Sequence, residues 1–306
     1  MVQKTLGART QCSGIGVHSG LPATLTLLPA PADHGIRFKR IEDGDNTSEI
    51  PALADRVTDV RLATRLSNET HCVETVEHLL AALYALGVDN ALIEIDGPEI
   101  PIMDGSAAVF CRLIRSVGLV DQVAPRKVLR LLESVLVSDG AKWARLSPRL
   151  GNTLELHTEI DFPCATIGVQ AASFCEDTDD FESSIASART FGFAWEVDAL
   201  RQSGLARGGS LDNAIVVDRD GIVNPEGLRF NNEFARHKLL DAIGDLSLAG
   251  VRIAGRYEAY QPGHKLNYQL VCALLDSPSS WYVDSAPAGD MLQGGARRGA
   301  DQRIAF

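Results

Sequence analysis

Long apolar runs are missing from this sequence, and so is any surplus of basic charge. The longest apolar stretch, LLAALYALGV, is about half of what a bilayer-spanning helix needs, and the opening MVQKTLGART lacks the apolar segment of a secretory leader. With 29 Lys and Arg against 40 Asp and Glu, the chain carries a net charge of −11, which argues against general binding to nucleic acid or to an anionic membrane surface. An acidic substrate therefore needs a local basic pocket. The six cysteines, at positions 12, 72, 111, 164, 175 and 272, form no C-x-x-C pair and read as reduced core thiols, not as disulfides or a zinc knuckle. The expectation is a cytoplasmic protein without stable membrane insertion.

Several common site motifs are absent as well. There is no G-x-x-x-x-G-K-[ST] phosphate loop and no G-x-S-x-G nucleophile turn, and GIGVHSG departs from the dinucleotide fingerprint because Ser19 stands where its third glycine belongs. H-E-x-x-H does not occur, and its inverted form fails because Glu74 holds the position of the first histidine. Any metal site has to be assembled from distant segments.

What is present is a globular composition, 45% hydrophobic and 23% charged over 306 residues, enough for two ordinary domains. Strands are expected in LPATLTLLPA and around TRLSNETHCVETV, then a helix over about 75–87, the strand NALIEI, a Pro/Gly-rich connection and a helix over about 106–117. A second series of strands, KVLRLLESVLVSDG, AKWARLSP and TLELHTEIDF, precedes helical segments at about 193–204 and 230–249 and the strand VRIAGRYEAY. Each series runs through strands, a histidine-bearing helix, a glycine and a strand, so a duplicated architecture is expected. The division is placed at 1–124 and 125–306, the first unit carrying Glu77 and His78, the second His237, Asp241 and His264.

The helix RFNNEFARHKLLDAIGDLSLAG spaces His237, Asp241 and Asp245 four residues apart, in one stripe with Lys238 beside it and Leu239, Ile243 and Leu246 opposite. Such stripes are most often solvated faces. One helical turn also lets His237 and Asp241 present an imidazole and a carboxylate to a single ion. His78, near the start of an almost wholly apolar helix, reads first as a hydrogen-bonded core residue; with the other two it would complete a three-ligand zinc site with one open position. Glu77 points about 100° away from His78, where a carboxylate can take a proton from water without binding the ion. Zinc lowers the pKa of water from about 16 to about 7, so the chemistry implied is hydrolysis of a carbonyl compound. His264, in QPGHKLN, is expected on a loop, as a proton donor or oxyanion stabiliser.

TVEHLLAAL, PEIPIMDGSA, SARTFGF, GGSLDNAIVV, GLRFNNEFARHKLLDAIGDL and GHKLN occur in that order. With them, over residues 3 to about 285, the chain resembles the bacterial UDP-3-O-acyl-N-acetylglucosamine deacetylases, zinc amidases of lipid A biosynthesis. The resemblance implies an α+β fold of two similar domains whose helices pack between two outer sheets. It implies one zinc ion per chain held by His78, His237 and Asp241, with Glu77 as general base. It assigns His264 as acid and electrostatic stabiliser, Thr190 as a hydroxyl at the oxyanion, and Asp245 as a support for His264, not a fourth ligand.

The implied substrate is a UDP-sugar carrying a fatty acyl chain, deacetylated in the committed step of lipid A biosynthesis in a Gram-negative bacterium. Lys238 and Lys142 match basic residues on the diphosphate side, and Asn267 a substrate-binding position. An insert at about 191–217 matches the acyl passage: Phe191, Phe193, Val197, Leu200 and Val216 are its apolar positions, with Gly209 and Ser210 leaving room. Burying ten methylenes there contributes as much as about 8 kcal/mol before entropic costs. On residue type alone these apolar positions read as ordinary core. GIGVHSG and Asp104 read as architectural, and a monomer is expected.

Departures from the family pattern fall around His264. Lys265 and Tyr268 stand where relatives commonly have alanine and asparagine, and Gln261 where they often have lysine, so a basic residue has changed sides. The tail after about Val283 matches no family ending and is expected to be mobile. Two other functions compete: a catalytically silent sugar-nucleotide binding protein, and a zinc amidase for another acylated amine. The first would lack a ligand or base, and none is missing.

Overall fold

The structure, a computed structural model, describes residues 1–41 and 48–285. From residue 286 on, the tail expectation lies outside the described residues. A five-stranded sheet forms one outer layer, in the order Thr10–Ile15, Pro22–Pro29, Ala91–Ile95, Ile36–Arg40, Ile50–Pro51. Alternation decides which face is covered: Ala23, Leu25 and Leu27 point inward from the second strand and are buried, while Thr24 is only partly covered. A seven-stranded sheet forms the other outer layer. Its main path runs Val135–Asp139, Lys142–Ser147, Arg252–Tyr260, Val128–Leu131, Trp281–Asp284, and Leu154–Asp161 joins it beside Arg252–Tyr260, followed by Val169–Cys175.

Among the described residues six α-helices accompany these sheets: α1 (Glu77–Ala85), α2 (Ala108–Val117), α3 (Phe181–Ser184), α4 (Val197–Gln202), α5 (Glu233–Leu246) and α6 (His264–Leu275). α2 is amphipathic and sets Phe110, Cys111 and Ile114 against the interior. It packs on strand Thr10–Ile15 and on α1; α5 packs on Leu154–Asp161 and Val169–Cys175, and α6 on Val135–Asp139 and Lys142–Ser147. α1 and α5 meet in the middle, so the layers run sheet, helices, helices, sheet. The sequence of α1, EHLLAALYA, has no wet face because it has no solvent to face: all its residues except Ala85 are buried. Gly87 at φ +78° then turns the chain out of the helix.

Two readings need correction. The stripe on α5 is not solvated: His237, Asp241 and Asp245 are 2%, 1% and 1% exposed, because α5 is covered on both sides. His264 is not on a loop but opens α6, whose Leu266, Leu270, Val271 and Leu274 are buried at helical spacing. The helical segment expected over about 193–204 is present as a 3-10 turn, Ala194–Glu196, that runs into α4. Ahead of the turn, strand Phe191–Phe193 pairs in parallel with Ile215–Asp218 to start a small three-stranded sheet.

Candidate active site

α1 and α5 cross closely because α5 has a glycine at the contact: a Cβ on Gly244 would lie 2.2 Å from the carbonyl oxygen of Glu77. This brings the start of α1 over the middle of α5. His78 Nε2 is then 3.7 Å, and His237 Nε2 3.3 Å, from Asp241 Oδ1, and the two rings meet edge to face at 5.0 Å. A ligand atom from each of the three lies within 4.8 Å of those of the others. His237 Nδ1 donates to the Ala188 carbonyl at 3.1 Å, which leaves the Nε2 lone pair facing Asp241.

The charge states suit a cation. Burial pushes His78 down to about 3, helped by His237, and burial also lowers His237. Burial opposes the Asp241 carboxylate, but His237 and Lys238 outweigh it and hold its pKa below the usual range. Lys238 Nζ donates to Asp241 Oδ2 at 2.8 Å, whereas Oδ1 is buried with no hydrogen-bond donor among the described residues. A buried anionic oxygen left bare between two imidazoles is costly unless a cation fills the gap, and two nitrogens with one carboxylate fit zinc.

Beside this cluster stands a proton-handling pair. Burial raises Glu77 to about 7, against the opposing charge of His264. Burial would lower His264, but Asp245 and Glu77 overcome it and raise the imidazole to about 10. His264 Nδ1 meets Asp245 Oδ2 at 2.9 Å, and its Nε2 lies 3.6 Å from Glu77 Oε1. Asp245 also accepts from Asn267 Nδ2 at 2.9 Å and from the Thr64 hydroxyl at 2.7 Å.

The remaining expected residues divide. Thr190 is held by its main chain, its N–H to Gly105 and its carbonyl to Ile215, while its hydroxyl has no partner among the described residues. Lys238 touches Asp241 and lies 5.5 Å over the Phe191 ring, so it sits at the metal cluster itself. Lys142 is exposed on the hairpin that also carries Asp139, and Lys265 Nζ reaches Asp139 at 2.8 Å. The departures at Lys265 and Gln261 thus have different outcomes: Lys265 joins Lys142, whereas Gln261 donates to the Asp161 carbonyl. Asn267 is fully buried, with its carbonyl oxygen taken by Tyr257 and its amide on Asp245, so no part of it faces a substrate.

In the insert, Phe191, Phe193, Val197, Leu200 and Val216 are half-buried, which departs from the ordinary-core reading. Strand register sets Phe191 and Phe193 beside Ile215 and Val217, and Val216 beside Gly192 on the other face. Gly192 leaves open space over that face. Phe191 packs edge to face on Phe234 at 4.9 Å and Phe193 stacks on Trp195 at 4.7 Å. Gly209 is half-buried and Ser210 exposed, in the turn capped by the Asn213 side chain. The turn GIGVHSG docks this insert: the carbonyls of Val17 and His18 accept the N–H groups of Gly208 and Arg207. Glu99 holds the turn by accepting from His18, Ser19 and Thr75.

Sequence reasoning missed Thr64, Glu99, Glu233 and Arg189. Arg189, within SARTFGF, is 2% exposed and bonds Glu233 through its side chain and its main chain, tying the Ala188–Thr190 segment to the first turn of α5. A buried arginine in that motif is the one signal that was available.

The family model described as UDP-3-O-acyl N-acetylglycosamine deacetylase matches residues 3–276. Among similar curated proteins, the UDP-3-O-acyl-N-acetylglucosamine deacetylase of Myxococcus xanthus is 49% identical, over 92% of this chain and 88% of its own. The enzyme of that name from an Anaeromyxobacter species is 48% identical, over 90% and 89% respectively. That from Shewanella frigidimarina is 44% identical over 92% of each chain.

Proposed function

The chain belongs to the UDP-3-O-acyl-N-acetylglucosamine deacetylase family, and on that premise we propose that it hydrolyses the acetamide of UDP-3-O-(3-hydroxyacyl)-N-acetylglucosamine. Acetate and UDP-3-O-(3-hydroxyacyl)-glucosamine are the products, and the step commits the sugar to lipid A. The observation that carries this reading is the bare, buried Oδ1 of Asp241 between His78 and His237, with Glu77 and His264 alongside.

His78, His237 and Asp241 would hold one zinc ion, which when bound polarises the acetamide carbonyl and makes hydroxide available near neutral pH. Glu77, with a pKa near pH 7, takes the proton as the water oxygen bonds to the carbonyl carbon. The Thr190 hydroxyl, without another partner among the described residues, and protonated His264 stabilise the oxygen on which negative charge develops. Asp245 keeps His264 oriented through Nδ1. As the C–N bond breaks, His264 gives a proton to the leaving nitrogen.

Lys142 and Lys265 form the basic patch on the diphosphate side, and Lys238 acts at the metal cluster. The half-buried apolar side chains of residues 191–217 take the acyl chain. The units 1–124 and 125–306 each supply part of this site; in support, every strand pairing among the described residues stays on one side of residues 126–127. The protein would act in the cytoplasm as a monomer; no described helix is long and apolar enough to cross a membrane. The test is acetate release from the acylated UDP-sugar compared with UDP-N-acetylglucosamine lacking the acyl chain. Turnover of the first well above the second is expected; a fully metal-loaded protein that turns over neither would refute the substrate.

A further inference from the structure

Thr64 lies in the short loop between strands Val57–Asp59 and Arg65–Ser67, 1% exposed, with every polar atom engaged. Its N–H donates to Glu77 Oε2 at 3.1 Å, and its carbonyl accepts from the N–H of Val76, just ahead of α1, at 3.4 Å. Its hydroxyl crosses to α5 and donates to Asp245 Oδ1 at 2.7 Å. Asp245 Oδ2 is already taken by His264 and Asn267, so Thr64 is the one donor to Oδ1 among the described residues. Thr64 Oγ1 also lies 3.4 Å from His264 Nδ1, flanking the bond that Nδ1 makes to Asp245.

We propose that Thr64 is a positioning residue that registers the base against the acid. Its main chain holds the Glu77 carboxylate. Its hydroxyl stops the Asp245 carboxylate from turning, which keeps Oδ2 on His264 Nδ1 and His264 Nε2 3.6 Å from Glu77. With the β-branched stem limiting χ1, the hydroxyl has little freedom to leave Asp245. Loss of the hydroxyl strands a buried carboxylate oxygen and frees the imidazole to drift, without touching the cluster of His78, His237 and Asp241.

The kinetic consequence rests on the deacetylase reading; the effect on His264 does not. Thr64→Val keeps the side-chain shape and removes only the hydroxyl, and Thr64→Ser restores it. Thr64→Val is expected to lower kcat by about tenfold or more with KM changed by less than about twofold, while Thr64→Ser stays within about threefold of wild type. Zinc content should be equal in all three proteins. In metal-free protein, the His264 Nδ1–H resonance should be sharp in wild type and Thr64→Ser, and broadened or shifted in Thr64→Val. Wild-type kcat and an unmoved resonance in Thr64→Val, equal losses in both variants, or loss of zinc from Thr64→Val would each overturn the proposal. If wild type itself releases no acetate, the deacetylase reading fails while the resonance still decides the role of Thr64.

Discussion

Gly244 rests on the backbone of Glu77: its missing Cβ would fall 2.2 Å from the Glu77 carbonyl oxygen and 3.0 Å from its Cα. The neighbours are backbone atoms of a buried helix, which cannot swing aside as a side chain could. Helix spacing, and with it the distance from His78 to Asp241, depends on this glycine. Gly244→Ala should therefore cost about 1–3 kcal/mol of stability by overpacking. It should also weaken zinc retention, read as a lower melting temperature together with reduced metal content after dialysis. Normal metal content with a normal melting temperature would show that the helices can part freely.

Glu77 and His237 should fail in different ways. Glu77→Ala removes the base but no expected ligand, so zinc should stay at about one per chain while turnover falls by at least about 10²-fold. His237→Ala removes a ligand, and zinc should be lost with activity. Elemental analysis beside acetate release separates the two. Equal metal loss in both variants would break the assignment of roles.

Lys265 and Lys142 meet around Asp139 at the edge of the site. If they face the diphosphate, Lys265→Ala and Lys142→Ala should each raise KM by about threefold to tenfold with little change in kcat, and the effect should shrink at high salt. Initial rates at two ionic strengths give the answer. An unchanged KM in both variants would move the diphosphate elsewhere.

Asp104 and Arg229 give a pH signature. Burial would raise the Asp104 carboxyl, but hydrogen bonds from Ser106 and Arg229, with the Arg229 charge, hold it below the ordinary aspartate value. A carboxylate depressed in the folded state contributes stability that is complete above its unfolded pKa of about 3.9 and is lost as pH falls through the lower folded value. Arg229→Ala should therefore be less stable than wild type near neutral pH, with the gap narrowing below about pH 4. Urea unfolding at both pH values measures this. A gap that is the same at both would assign it to the Arg229 bond with Ser187, not to Asp104.

How much was legible in the sequence depended on whether a residue's role is local. α5 could be read from its own spacing, and His237 with Asp241 from one helical turn. That their stripe is buried could not be read, because it is covered by α1, far off in the sequence, and by α6, which was not itself read as a helix. α6 was missed because Pro262 and Gly263 announce a turn just before His264. Its stripe of Leu266, Leu270 and Leu274 was visible to a longer window. Thr64 left no local trace, since it acts on Asp245, 181 positions away, and on Glu77 through a main-chain N–H that any residue but proline could supply. Asn267 was placed among substrate contacts by the resemblance, yet its buried amide is turned onto Asp245.

Metal removal and return tests the account's central claim most directly. Protein stripped with a chelator should release no acetate from UDP-3-O-(3-hydroxyacyl)-N-acetylglucosamine. Adding zinc back should raise the rate linearly to a break at about one ion per chain, as a single His78, His237 and Asp241 site requires. A stripped protein that keeps its full rate, or a rate that still climbs past two ions per chain, would contradict it.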